Sequence, residues 1–277
     1  MPTLLRRLRR SVREGRSDAP GRSIDLLGRI GLLAYGLVHL VVAWLAVRIA
    51  LGLPEGPADA QGAVAEIAAT GAGAVGLVVI AAGLVAFAVW QLTAAWLGFR
   101  WVSGGERVRK RVGAVSKALA MLGLAVITVL FLVSGQRSGD EGTRTLVADV
   151  LMLPMGRLLV LVGGLAIGVV AVTMTYTGVR RTFMGDLDVR RVPVPVRRVI
   201  ELVGAVGHLA RAAALAVVGV LVVTAAVLSD AERAGGLDAA LRALGDTPLG
   251  TSLLVVVALG FGAFGLYCAA DAALRRA

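Results

Sequence analysis

Cysteine occurs once in the chain, as Cys268, histidine twice, as His39 and His208, and lysine twice, as Lys110 and Lys117. A single thiol cannot close an internal disulfide, and inside an apolar run it reads as a small packing residue. Two histidines and no cysteine pair leave a metal site without a ligand set, and no cofactor is expected. Carboxylates are scarce where the chain is most apolar. Of the 18 acidic residues only Asp271 reaches a long apolar run, at its end. That disfavours the proton relays and cation sites that ion-coupled transporters build from buried carboxylates. Gly-x-Ser-x-Gly, His-Glu-x-x-His and Gly-x-x-x-x-Gly-Lys are missing as well, so enzymatic activity is not expected.

Long hydrophobic runs are what the chain has instead. The composition is 57% hydrophobic, and the apolar residues fall into six runs, at 27–51, 71–97, 112–134, 156–179, 203–228 and 250–273. A helical residue rises ~1.5 Å, so each run crosses the ~30 Å hydrocarbon core of a bilayer. The expected fold class is an all-α integral membrane protein with six transmembrane helices. Heavy use of Ala, Val, Gly and Arg fits a GC-rich genome such as an actinobacterium's.

The net charge of +11 is unevenly placed. Twenty-one of the 29 basic residues lie on the side holding the N-terminus: the segment through Arg29, positions 100–111, positions 180–198, and Arg275 with Arg276. The opposite loops hold four, Arg137, Arg144, Arg233 and Arg242. Such asymmetry orients membrane proteins with the basic side inside. It predicts a bacterial cytoplasmic (inner) membrane protein with both termini cytoplasmic. The partners it implies are the bilayer and its anionic lipids at the cytoplasmic face; no nucleic acid is expected. Arg48 and Arg157, at the other membrane edge, read as interface anchors, and Trp96 and Trp101 as part of an aromatic belt.

Residues 1–25 form a basic tail, either an amphipathic helix carrying Leu4, Leu5, Leu8 and Val12 on the inner leaflet or a disordered segment. Its long charged start and full-length apolar run argue against a cleaved signal peptide. Hairpin repeats then occupy 26–101, 108–182 and 198–276. Each outer loop carries a short amphipathic segment, at 63–68, 145–154 and 235–248.

The repeats share a phrase. Gly28-Arg29-Ile30-Gly31 opens the first odd helix, Gly113-Ala114-Val115-Ser116-Lys117 the third, and Gly204-Ala205-Val206-Gly207-His208 the fifth. With a shift of 177, Gly73, Leu77, Val78, Val79, Ala81, Gly83, Ala86 and Phe87 fall on identical residues from Gly250 to Phe264. The middle copy is looser, although Pro154-Met155-Gly156 and Pro248-Leu249-Gly250 mark the same corner. A two-helix unit returns the chain to its starting side, so the three units are parallel and predict a pseudo-threefold axis along the membrane normal.

The phrase Gly-x-x-Ala-[Arg/Tyr]-small, with a partner helix bearing glycine and an aromatic residue, resembles the bacterial membrane family catalogued as domain of unknown function 1206. The resemblance spans about residues 24–276. It implies three repeats of a transmembrane helix pair and no particular activity. Where that family tends to place Arg after the Ala, only Arg211 fits; Tyr35 and Ala120 stand at the corresponding positions.

One further pattern concerns function. Counting from the first glycine of each odd helix, positions zero, four, seven and eleven share a face. The first helix shows Gly28, Leu32, Tyr35 and His39 there, the third Gly113, Lys117, Ala120 and Leu124, the fifth Gly204, His208, Arg211 and Leu215. If this face meets the repeat axis, Lys117, His208, Arg211, Tyr35 and His39 form a candidate site for a small anion or an acidic lipid headgroup. Snorkelling to inner-leaflet phosphates is the plainer explanation of Lys117 and Arg211, and a hydrogen bond to a neighbouring helix that of His39. The alternative role is a non-catalytic scaffold that docks partners on its basic face.

Overall fold

The computed structural model describes residues 22–53, 57–97, 104–134, 139–190, 192–246 and 248–275. Most of the basic tail, Trp101 and Arg276 lie outside the described residues. Nine helices are described: α1 (Arg22–Ala50), α2 (Ala60–Ala68), α3 (Gly73–Leu97), α4 (Gly104–Ser134), α5 (Gly139–Leu151), α6 (Gly156–Arg180), α7 (Val194–Leu228), α8 (Leu237–Gly245) and α9 (Gly250–Leu274). Six of them, α1, α3, α4, α6, α7 and α9, are long and apolar enough to cross a membrane. The three short ones, α2, α5 and α8, fill the connections at the end opposite the basic one, where sequence patterning places amphipathic segments.

Two helices begin well before their apolar runs. Helix α4 starts at Gly104 rather than near 112, and α7 at Val194 rather than near 203. Hydropathy marks the residues at membrane depth and is blind to helix that continues into water. Pro193 caps α7 with φ −55° and Pro195 sits in its first turn, where a missing N–H costs nothing. The connection before it holds a 3-10 turn at Thr182–Asp186 and ends where α7 starts at Val194.

The glycine phrase has a mechanical explanation in the first and third hairpins. A Cβ on Gly28 would meet the Trp90 ring at 3.1 Å, and one on Gly31 would strike Phe87 and the Gly83 carbonyl. In the third hairpin a Cβ on Gly204 would meet Tyr267 at 2.9 Å, and one on Gly207 the Phe264 backbone at 2.6 Å. Gly83 lies against Ala34, as Gly260 lies against Ala210. These are the same contacts made twice by repeat-related residues, so the repeat is present in the packing as well as in the sequence. No hydrophobic force draws helices together in lipid, so close backbone approach at small residues is what holds such pairs.

Contacts between repeats follow the same threefold logic. Helix α9 packs along α1, α3 along α4, and α6 along α7. Gly265 and Gly36 let α9 and α1 approach, and Gly164 nests against Val222 and Val223 of α7. The pattern fails at one place. Among the described residues, helices α4 and α6, the middle hairpin, make no substantial contact with each other. The spanning helices therefore run α4–α3–α1–α9–α7–α6 as an arc, open between its two ends.

At the end opposite the basic one, buried carboxylates join the repeats. Asp238 of α8 accepts the Ala58 N–H at 2.8 Å, and Asp140 of α5 accepts the Gly236 N–H at 2.8 Å. Each links the short helix of one repeat to the loop of the next. Asp59, Asp140 and Asp238 are all buried, each with backbone N–H or guanidinium partners that offset the cost of burying charge.

Candidate functional site

Four of the five sequence-derived candidates meet around one phenylalanine. Phe264 of α9 sits 5.8 Å from the Tyr35 ring, 4.9 Å from His39 and 5.3 Å from His208, centroid to centroid. The Arg211 guanidinium carbon stands 4.1 Å from the Phe264 centroid and 5.4 Å from that of Tyr35, within the ~6 Å reach of a cation–π contact. Arg211 Nη2 donates to the Tyr35 hydroxyl at 2.6 Å. Positions 35 and 211 are repeat equivalents, so this bond joins two copies of one site across α9.

The helix geometry explains the convergence. Gly204, Gly207 and Ala210 commit one face of α7 to α9, and Gly178 of α6 lies against Ala205 and Leu209 on another. His208 and Arg211 occupy the angle between those faces. On α1, Gly36 fixes the contact with α9, which brings Tyr35 and His39 to the other side of Phe264.

The two histidines bond their own helices. His39 Nδ1 donates to the Tyr35 carbonyl at 2.9 Å and His208 Nδ1 to the Gly204 carbonyl at 2.7 Å. A carbonyl only accepts, so in both rings Nδ1 carries a proton, and a neutral ring leaves Nε2 as an acceptor. His208 also stacks on Phe183 at 4.9 Å and an interplanar angle of 5°. Both imidazoles pack the site, and its anion-seeking donors are Arg211 and the hydroxyl proton of Tyr35. That proton meets no acceptor among the described residues.

Lys117 stands apart from this cluster. It is exposed, it lies on α4 at one edge of the opening, and it makes no hydrogen bond or ion pair among the described residues. It is still within electrostatic range of Arg211, Arg275, Asp186 and Asp271. One and two turns towards the basic end, α4 carries Gly113, with open space around it, and Lys110, which reaches Asp186 at 3.4 Å.

Other cations near the basic end are matched. Arg275 and Asp271 form a buried pair at 2.7 Å and 2.8 Å, with Arg275 4.7 Å from the Trp90 centroid. Burial opposes the Arg275 charge, but the Asp271 carboxylate more than reverses that and holds its pKa above the ordinary value. Arg29 donates to the Ala272 and Ala273 carbonyls at 3.0 Å and 3.2 Å, a cation on the negative end of the α9 dipole. Arg181 meets Glu201 at 2.6 Å. Neither Arg211 nor Lys117 has a carboxylate at bonding distance among the described residues.

Sequence reasoning passed over Phe264 as a hub and Phe183 as a lid on His208. Phe264 carried a signal, its identity with Phe87 at equivalent positions. Phe183 carried none, since it lies in a connection with no periodicity. A cavity of about 590 Å³ is an apolar groove between α6 and α7, flanked by Gly164, Gly168, Ala212 and Ala216. None of the candidate residues line it.

Six spanning helices, repeated two by two and sealed at one end by short helices, define a multi-pass α-helical membrane protein of three parallel hairpins. The chain belongs to the family described as Domain of Unknown Function (DUF1206), whose model matches it three times, at residues 30–98, 112–181 and 206–275. It is also similar to a protein of Bacillus subtilis (strain 168) described as uncharacterized protein YxxB, with 28% identity over 245 residues and 88% of each chain covered. No solved structure matches it.

Proposed function

We propose that the protein sits in the bacterial cytoplasmic membrane with its basic end inside, and that Arg211, Tyr35 and Lys117 bind an anionic group there. The carrying observation is the Arg211–Tyr35 pair. A guanidinium in the basic-side half of a spanning apolar run uses one donor on a neutral hydroxyl, and that hydroxyl keeps its own proton to give. Insertion scales put an arginine at the centre of a spanning helix at about 3 kcal/mol unfavourable. A neutral-acceptor hydrogen bond returns about 1 kcal/mol and a desolvated cation–π contact about 2 kcal/mol. The terms nearly cancel, so the arginine is tolerated without an anion while its charge stays uncompensated. A phosphate or similar group would accept from the guanidinium and the phenol together, with charge-assisted bonds of roughly twice the usual strength.

The reading is of a binding or passage site. The basic charge asymmetry of the loops supports the orientation. Binding of inorganic phosphate or of anionic lipid to purified protein, followed by calorimetry or native mass spectrometry, tests it. Binding that is weakened in both Arg211→Gln and Lys117→Gln is expected. Binding indifferent to both substitutions would overturn the site and favour the scaffold role.

A further inference from the structure

Resting on that reading, we infer that the anion is the headgroup phosphate of a membrane lipid, and that it reaches Arg211 sideways through the opening between α4 and α6. Three independent features converge on this. The first is the broken ring: neighbouring spanning helices pack all the way along the arc, and only the middle hairpin leaves its two helices apart. The second is Lys117, an exposed cation with no hydrogen bond or ion pair among the described residues, seven residues into the α4 span and within range of Arg211. The third is the lack of packing beside it. A Cβ on Gly113, one turn from Lys117 on the same face, would meet nothing within 4 Å, and nor would one on Gly163 of α6.

The source of the anion follows from where the opening faces. A slot between two spanning helices opens on lipid, whose phosphates lie at the interface and whose chains can remain in the bilayer. A soluble anion would instead have to pass the basic end. There the Lys110–Asp186 pair links α4 to the turn after α6, and Phe183 with Leu187 is buried beneath α7 and α9. Lys117 at the slot and Arg211 within would take the phosphate in turn, the first as a mobile point charge and the second through its planar fork. The Tyr35 hydroxyl completes the inner position.

The experiment compares lipid with soluble phosphate on the same full-length protein. Detergent-solubilised wild type is exchanged into dioleoyl phosphatidylglycerol or dioleoyl phosphatidylcholine nanodiscs, and into buffer with sn-glycerol 3-phosphate or inorganic phosphate. Retained ligand is counted by native mass spectrometry. The expected result is stoichiometric phosphatidylglycerol, little phosphatidylcholine, and no competition from either soluble phosphate. Loss of one charge-assisted contact in Lys117→Gln or Arg211→Gln should weaken retention about tenfold. Because Lys117 is exposed, its variant keeps the test valid if Arg211→Gln folds poorly. A photoreactive group in the lipid headgroup should label α4 near Lys117 and α7 near Arg211. If soluble phosphate binds with Arg211 dependence while lipid does not, the anion site stands and lateral entry is overturned. If neither binds, both readings fall. Labelling confined to the terminal loops would also overturn lateral entry.

Discussion

The first and third hairpins of this protein close on themselves, and the middle one does not. In the closed pairs an odd helix offers Gly-x-x-Gly-x-x-Ala and its partner answers with a glycine and an aromatic residue one turn apart: Gly83, Phe87 and Trp90, or Gly260, Phe264 and Tyr267. In the middle unit the equivalents on α6 are Ala166, Val170 and Thr173, and the second glycine of α4 has become Ser116. With neither the notch nor the ring that fills it, the pair loses its contact, and each of the two packs along its other long neighbour. Helix α6 is accordingly the least buried of the six spans. The difference teaches that one packing motif decides whether a repeat is wall or doorway, and that the charged residues worth explaining stand where the motif has lapsed.

The largest effects should come from forcing the closed hairpins open. Gly207→Leu places carbon into the Phe264 backbone, and overpacking of that kind costs about 1–3 kcal/mol. Gly113→Leu, at the middle-hairpin counterpart of the neighbouring Gly204, should change stability by less than about 0.5 kcal/mol. Denaturation in mixed micelles compares the two, and equal losses would erase the contrast between hairpins. Next in size is Asp238→Ala, which leaves the buried Ala58 N–H without an acceptor and should cost about 1–3 kcal/mol. Asp238→Asn should recover part of it. Retention of full stability in the alanine variant would show that the repeats are not joined there.

Smaller still is Phe264→Leu, which keeps apolar volume but removes the ring beneath Arg211. A loss of about 1 kcal/mol, with Arg211-dependent anion binding weakened, is expected. Tyr35→Phe should be nearly silent in stability, since it removes one neutral bond and leaves the ring. Its effect should appear in anion binding, where it removes an inner donor. A stability loss larger than that of Phe264→Leu would mean that the Tyr35–Arg211 bond holds the fold rather than the ligand.

Much of this architecture was legible in the residues. Hydrophobic runs and charge asymmetry suffice for six spans, and the 177-residue correspondence for two matching hairpins. The stripe counted from each glycine brought Tyr35, His39, His208 and Arg211 to one place, because the glycines themselves set the rotation of α1 and α7 against α9. Lys117 did not join them, since the rule presumes that α4 packs as its counterparts do. What the sequence hid follows from non-local geometry. Hydropathy does not register the helical extension at Val194–Leu202, and periodicity does not reveal Phe183 or the Asp140 and Asp238 clasps.

The open middle hairpin is most directly tested by distances between nitroxide pairs in lipid nanodiscs, placed at repeat-equivalent positions: Leu37 with Val79, Leu122 with Val162, and Ala213 with Val256. The first and third pairs should give short and similar distances, and the middle pair a clearly longer one. Three matching distances would describe a closed threefold ring, leave Lys117 no slot to line, and contradict the account.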